Sequence, residues 1–190
     1  GEALYMNLTF LKKRKRELFF ILFFLVAFFL ATKQMPIFSL RGTKSLGVTV
    51  KLDLLLCCTI CLALLEGKRY AAPYALTAGF LFDVLVGNPY AFSPIVWFLC
   101  SYFAEKAAAP FSRKTPLSVL LVGAQVLAIK AVFSFLYLIA VSRDASVGQL
   151  FFLGVLPEYL VNTVGTALVF SVMRILAALF RVPVFDRGGE

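Results

Sequence analysis

"ELFFILFFLVAFFLAT", residues 17–32, carries one charge, at its first position, and none after it. A stretch like this approaches the ~20 apolar residues that cross a ~30 Å hydrocarbon core. In lipid the backbone must satisfy its own hydrogen bonds, so the stretch predicts a helix. "KKRKR" at 12–16 stands directly before it. Basic residues followed by an apolar run also describe a secretion signal. Here the run is followed by Lys33 and Gln34 rather than by a small-residue cleavage site, and further apolar runs follow. It therefore reads as an uncleaved first span. "GEALY", residues 1–5, reads as a remnant ahead of a start at Met6.

Outward from this span the composition agrees. The 190 residues are 61% hydrophobic and 15% charged, with 21 phenylalanines and no histidine. A soluble domain averages about 45–50% apolar and about 25% charged, so the chain falls outside that class. The fold class is all-α, a polytopic membrane protein with about six transmembrane helices. Beyond span 1, the spans are about 48–65, 71–87, 91–104, 117–141 and 157–180. Residues 149–156 are expected to lie flat at the interface, and 33–47 is the longest unassigned segment. The domain reading is a basic segment over 1–16, one transmembrane domain over 17–180 and a tail over 181–190.

The formal net charge is +9. The basic residues stand in the gaps between apolar runs, where they set topology and meet anionic headgroups, so nucleic acid is not a partner. With the N-terminus inside, twelve fall on the cytoplasmic side (Lys12, Lys13, Arg14, Lys15, Arg16, Lys68, Arg69, Lys106, Arg113, Lys114, Arg181, Arg187). Five fall outside: Lys33, Arg41, Lys44, Lys51 and Arg143. That asymmetry predicts N-in and C-in. Lys12, Lys13, Arg14, Lys15 and Arg16 are candidates for lipid headgroups or a cytoplasmic filament.

Charges inside the spans are the functional candidates, because an Asp at bilayer centre costs ~2.5–3.5 kcal/mol on insertion scales. Asp83 in "GFLFDVLVGNPY" (79–90) lies roughly 18 Å into span 3 at ~1.5 Å per residue. Ala75, Gly79, Asp83 and Gly87 recur every fourth residue, a small-residue face that lets another helix approach closely. Lys130 in span 5 lies at a similar depth and is the expected partner of Asp83. Glu158 and Asn162 form a polar stripe in span 6, with Glu158 near the outer surface. Asp53 stands at the start of span 2. These five residues predict a buried polar seam, or the lining of a cavity or partner groove.

Cys57, Cys58, Cys61 and Cys100 lie in apolar runs. Cys58 and Cys61 have a C-x-x-C spacing, but no second pair and no histidine complete a zinc site. They read as reduced thiols acting as small apolar side chains. No metal or cofactor is called for. No Ser-Lys or Gly-x-Ser-x-Gly arrangement stands out, and no enzyme is expected.

"KLDLLLCCTICLALLEGKRYAAPYALTAGFLFDVLVGNPYAFSPIVWFLCSYFAEK" (51–106) resembles the central block of the MreD family of rod shape-determining membrane proteins. The carriers are Asp53 opening span 2, the basic hairpin "EGKRY", Gly79 and Asp83 in span 3, and "CSYFAEK". Later, "LPEYLVNTVGTALVFSVMRIL" (156–176) is similar to the family's closing helix through Pro157, Glu158 and Asn162. "NPYAFSP" departs from the family's usual turn, and Lys130 maps to no family position. The resemblance implies a non-enzymatic scaffold or regulator of bacterial cell elongation in the inner membrane, supporting lateral peptidoglycan synthesis with MreC. MreB, RodA and the elongation penicillin-binding transpeptidase are the further partners it implies. It also implies a fold similar to substrate-binding subunits of energy-coupling-factor vitamin transporters. Ala27 and Ala31 resemble the coupling motif of those subunits, and such a subunit is the alternative reading.

Overall fold

Glu2 to Thr32 contains neither glycine nor proline, and its basic residues are good helix formers. The chain there is one helix, α1 (Glu2–Thr32), which runs back through the whole basic segment. The computed structural model describes residues 2–32, 38–39, 49–50, 52–86, 92–111, 115–141 and 146–182.

The second span differs from expectation. Thr49–Val50 (β2) pairs antiparallel with Phe38–Ser39 (β1), in register Phe38 with Val50. Thr49 and Val50 are β-branched, and their stiff side chains favour the extended backbone. The helix α2 begins only at Leu54 and ends at Glu66. Its 13 residues rise ~20 Å, too short to cross a bilayer alone. It is apolar all round, and every residue from Leu55 to Leu65 is buried. A helix with that pattern belongs inside a bundle.

Gly67, at φ 83°, connects α2 to α3 (Lys68–Val86) in a single left-handed residue. Pro73 lies in the second turn of α3, and Thr77 Oγ1 donates to its carbonyl at 2.8 Å. The next helix, α4 (Ser93–Ala108), carries Pro94 in its first turn, where a missing N–H is tolerated. The fifth helix, α5 (Pro116–Val141), matches its expected span.

The last helix also differs. Residues 149–156 do not form a separate interfacial piece. Val147–Leu179 is one helical run, α6, capped by a reciprocal Ser146–Gln149 box. Its residues Leu150–Val155 are π-wound. Pro157 follows two residues after its end; its ring and absent N–H disrupt the α-ladder one turn back, which a wider turn accommodates.

Helix α2 is the hub, with α1, α3, α4 and α6 packed on it, and α5 lies against α4 and α6. The most extensive pairings are α3 with α4 and α5 with α6. Buried residues from α1 to α6, Trp97 and Phe170 among the largest, form one core. The outer faces are apolar as well: Leu22, Phe29, Phe80, Leu136, Leu168 and Ile175 are exposed. Helices α5 and α6 are long and apolar enough to cross a membrane.

Candidate functional site

Lys130 lies eleven residues before the end of α5 at Val141. Glu158 lies eleven residues after the start of α6 at Val147. These helices are consecutive and packed together, so equal counts from their adjoining ends place both residues ~16 Å along the helix axes. Asp53 reaches the same place because α2 begins there, with Asp53 at its N-cap position.

Lys130 Nζ donates to Asp53 Oδ2 and to Glu158 Oε1. One ammonium thus joins α2, α5 and α6. Asp53 is almost wholly buried, its side chain 7% exposed, while Glu158 keeps 30%. The three side chains sum to one formal negative charge. Asp53 has no side-chain hydrogen bond to the α2 N-terminus, but that helix end carries partial positive charge and favours a carboxylate beside it.

Asn162 completes the cluster one turn beyond Glu158. Its Oδ1 accepts the Asp53 backbone N–H at 2.7 Å, and its Nδ2 donates to the Glu158 carbonyl at 2.9 Å. The amide therefore has a fixed orientation and ties the α2 N-terminus to α6. Cys57 Sγ donates to the Asn162 carbonyl at 3.6 Å and Cys61 Sγ to the Thr166 carbonyl at 3.5 Å. Tyr159 Oη donates to the Ala124 carbonyl at 2.9 Å, a second tie between α6 and α5. Beside the cluster, Ser134, Ala131 and Val155 help line a cleft of ≈ 10 Å³, room for about one water.

Asp83 is not part of this cluster. The expected Asp83–Lys130 pair does not form, because Lys130 is taken by Asp53 and Glu158. Asp83 Oδ2 accepts the backbone N–H of Ser93 at 3.1 Å, one of the donors that α4 leaves open at its start. The acid in α3 is an N-terminal cap borrowed from the neighbouring helix. Glu105 does the same in reverse: its Oε2 accepts the Lys68 N–H at the start of α3, 2.9 Å away. The small-residue face leads to the same helix. A Cβ on Gly79 would meet Pro94 Cα at 2.6 Å and Pro94 N at 2.7 Å, so α4 rests on bare backbone. Ala75 is buried on α3, and Gly87 lies outside the described residues.

Midway along α1, Arg14 and Lys15 are exposed, and Arg16 Nε pairs with Glu66 Oε1 at 3.2 Å. Arg16 is thus committed to α2 rather than to a headgroup. Lys12 and Lys13 fall within α1, but their side chains lie outside the described residues. All four cysteines are free and buried. Among the described residues, no group of three or more His, Cys, Asp or Glu could hold a metal ion.

A family model described as rod shape-determining protein MreD matches residues 12–180. No curated protein and no solved structure matches the chain.

Proposed function

The chain belongs to the MreD family of rod shape-determining proteins, and from that membership we propose that it is a non-enzymatic, multi-pass scaffold of the cell-elongation machinery. It works in the bacterial inner membrane, supporting lateral peptidoglycan synthesis with MreC, and with MreB, RodA and the elongation penicillin-binding transpeptidase as further partners. One transmembrane domain over 17–180 makes six passes, the second of them only in part by the short helix α2, with both termini in the cytoplasm. The excess of basic residues on that side supports this orientation.

The observation that carries the reading is where the polar groups go. Lys130, Asp53, Glu158 and Asn162 bond to one another, at the depth where α2 begins. In the N-in orientation they lie ~16 Å below the outer ends of α5 and α6, about half of a ~30 Å core. A cluster spent on fastening three helices suits a rigid part that presents its apolar outer faces to partners. The cleft lined by Lys130, Glu158 and Asn162 measures only ≈ 10 Å³. Small-molecule pockets run ≈ 300–1,000 Å³, so this cluster supports the scaffold over a transporter subunit.

The test is a pull-down of the full chain from native membranes, read by mass spectrometry. The scaffold reading expects MreC and RodA. Recovery of a transporter energising module with a co-purified vitamin would contradict it.

A further inference from the structure

Between α1 and α6 runs a groove of ≈ 680 Å³, within the size range of ligand sites. Its walls are built from two ridges at four-residue spacing, including Leu22 and Val26 on α1 and Leu168 and Val172 on α6. Its lining is apolar except for Lys15, at the end of the groove where the hydrophobic run of α1 begins. Among the described residues, no carboxylate forms an ion pair with Lys15. Arg14 adjoins it in sequence, and Arg181 stands between the lining residues Phe180 and Val182.

We infer that this groove binds an anionic phospholipid, with the phosphate at Lys15 and the acyl chains along α1 and α6. Among the described residues the charge in the lining sits at one end, where the apolar run of α1 begins, which is the polarity of a lipid in one leaflet. Basic pockets between transmembrane helices are known lipid headgroup sites. A partner's spanning helix fits less well. From Lys15 to Leu30 the lining of α1 covers ~22 Å, shorter than the ~30 Å a spanning helix needs. Close helix approach also relies on small residues. Of the two in the groove, Gly165 is covered by the Leu52 side chain, and Ala27 is buried. Leucine, valine and phenylalanine walls suit mobile acyl chains instead.

The test uses the full chain in detergent, offered dioleoyl phosphatidylglycerol or dioleoyl phosphatidylcholine and read by native mass spectrometry. The glycerol lipid should be retained several-fold more than the choline lipid. Lys15→Gln should reduce its retention to the choline level with an unchanged melting temperature, because Lys15 is exposed. Equal retention of the two lipids, or no effect of Lys15→Gln, overturns the inference. A second arm does not depend on a charge change. A photocrosslinking amino acid at Val172, activated in native membranes, should give a lipid-sized adduct. A protein-sized adduct, whether a second copy or another chain, overturns it.

Discussion

Lys130 on α5 bonds the carboxylate of Asp53 at the start of α2, 77 residues away in sequence, and holds Glu158 of α6 with the same ammonium. Without that cation, two carboxylates face each other between packed helices. Breaking a buried ion pair from one side costs ~3–5 kcal/mol, because the remaining charge is left without compensation. Lys130→Met should therefore lower folded yield in membranes severely, read by monodispersity after mild detergent extraction. A near-normal yield would mean that the cluster contributes little.

The two carboxylates are unequal. Asp53 is 7% exposed and Glu158 30%. Water near Glu158 moderates its loss, so Glu158→Gln should lower the unfolding midpoint less than Asp53→Asn. Chemical unfolding of the two variants in the same detergent gives the ranking, and the reverse order would place the anchor on α6.

Asn162→Ala removes the acceptor of the Asp53 N–H and a donor to the Glu158 carbonyl. A buried N–H left unsatisfied costs ~1–3 kcal/mol. The loss should appear as a lower thermal midpoint.

Gly79 and Gly148 form a matched pair. A methyl group at Gly79 meets the Pro94 backbone, whereas one at Gly148 meets nothing within 4 Å. Gly79→Ala should destabilise by ~1–3 kcal/mol through overpacking. Gly148→Ala should be neutral or stabilising by up to ~1 kcal/mol, from helix propensity. The contrast is read from thermal melts of both variants in the same detergent.

Asp83 caps α4 through Ser93 N. Asparagine keeps an acceptor for that N–H, so at this cap Asp83→Asn should lose only the charge contribution, about 0.3–1 kcal/mol at a helix N-terminus. Asp83→Leu removes the acceptor and should cost more, again by unfolding midpoint.

Much of this was legible in sequence. Spans 3, 4 and 5 fall close to α3, α4 and α5, because continuous apolar runs between punctuating residues fix them. Asp53, Lys130, Glu158 and Asn162 stood out as polar groups in apolar surroundings, and the structure brings them together. Depth alone does not name the partner of Asp83: it stands 15 residues into α3 and Lys130 14 into α5, but α3 packs on α2 and α4, and α5 on α4 and α6. Starting span 6 at Pro157 put Glu158 at the surface. Starting it at Ser146, where the Ser–Gln capping box stands, puts Glu158 level with Lys130. Likewise, the late start of α2 follows from the strand at Thr49–Val50, a pairing with Phe38–Ser39 that no local pattern announces. The role of Asp83 as a cap for a neighbouring helix needed the packing of α3 on α4, which the Gly79 face implied only as some helix.

The most direct measurement is a double-mutant cycle on Asp53 and Lys130: unfolding free energies of the full chain, Asp53→Asn, Lys130→Met and the two combined. If these residues clasp α2 to α5, the double variant recovers part of the loss, with a coupling of ~0.5–3 kcal/mol. The same cycle on Asp83 and Lys130 should be additive. Additive effects at Asp53 and Lys130, or coupling at Asp83 and Lys130, would contradict the account.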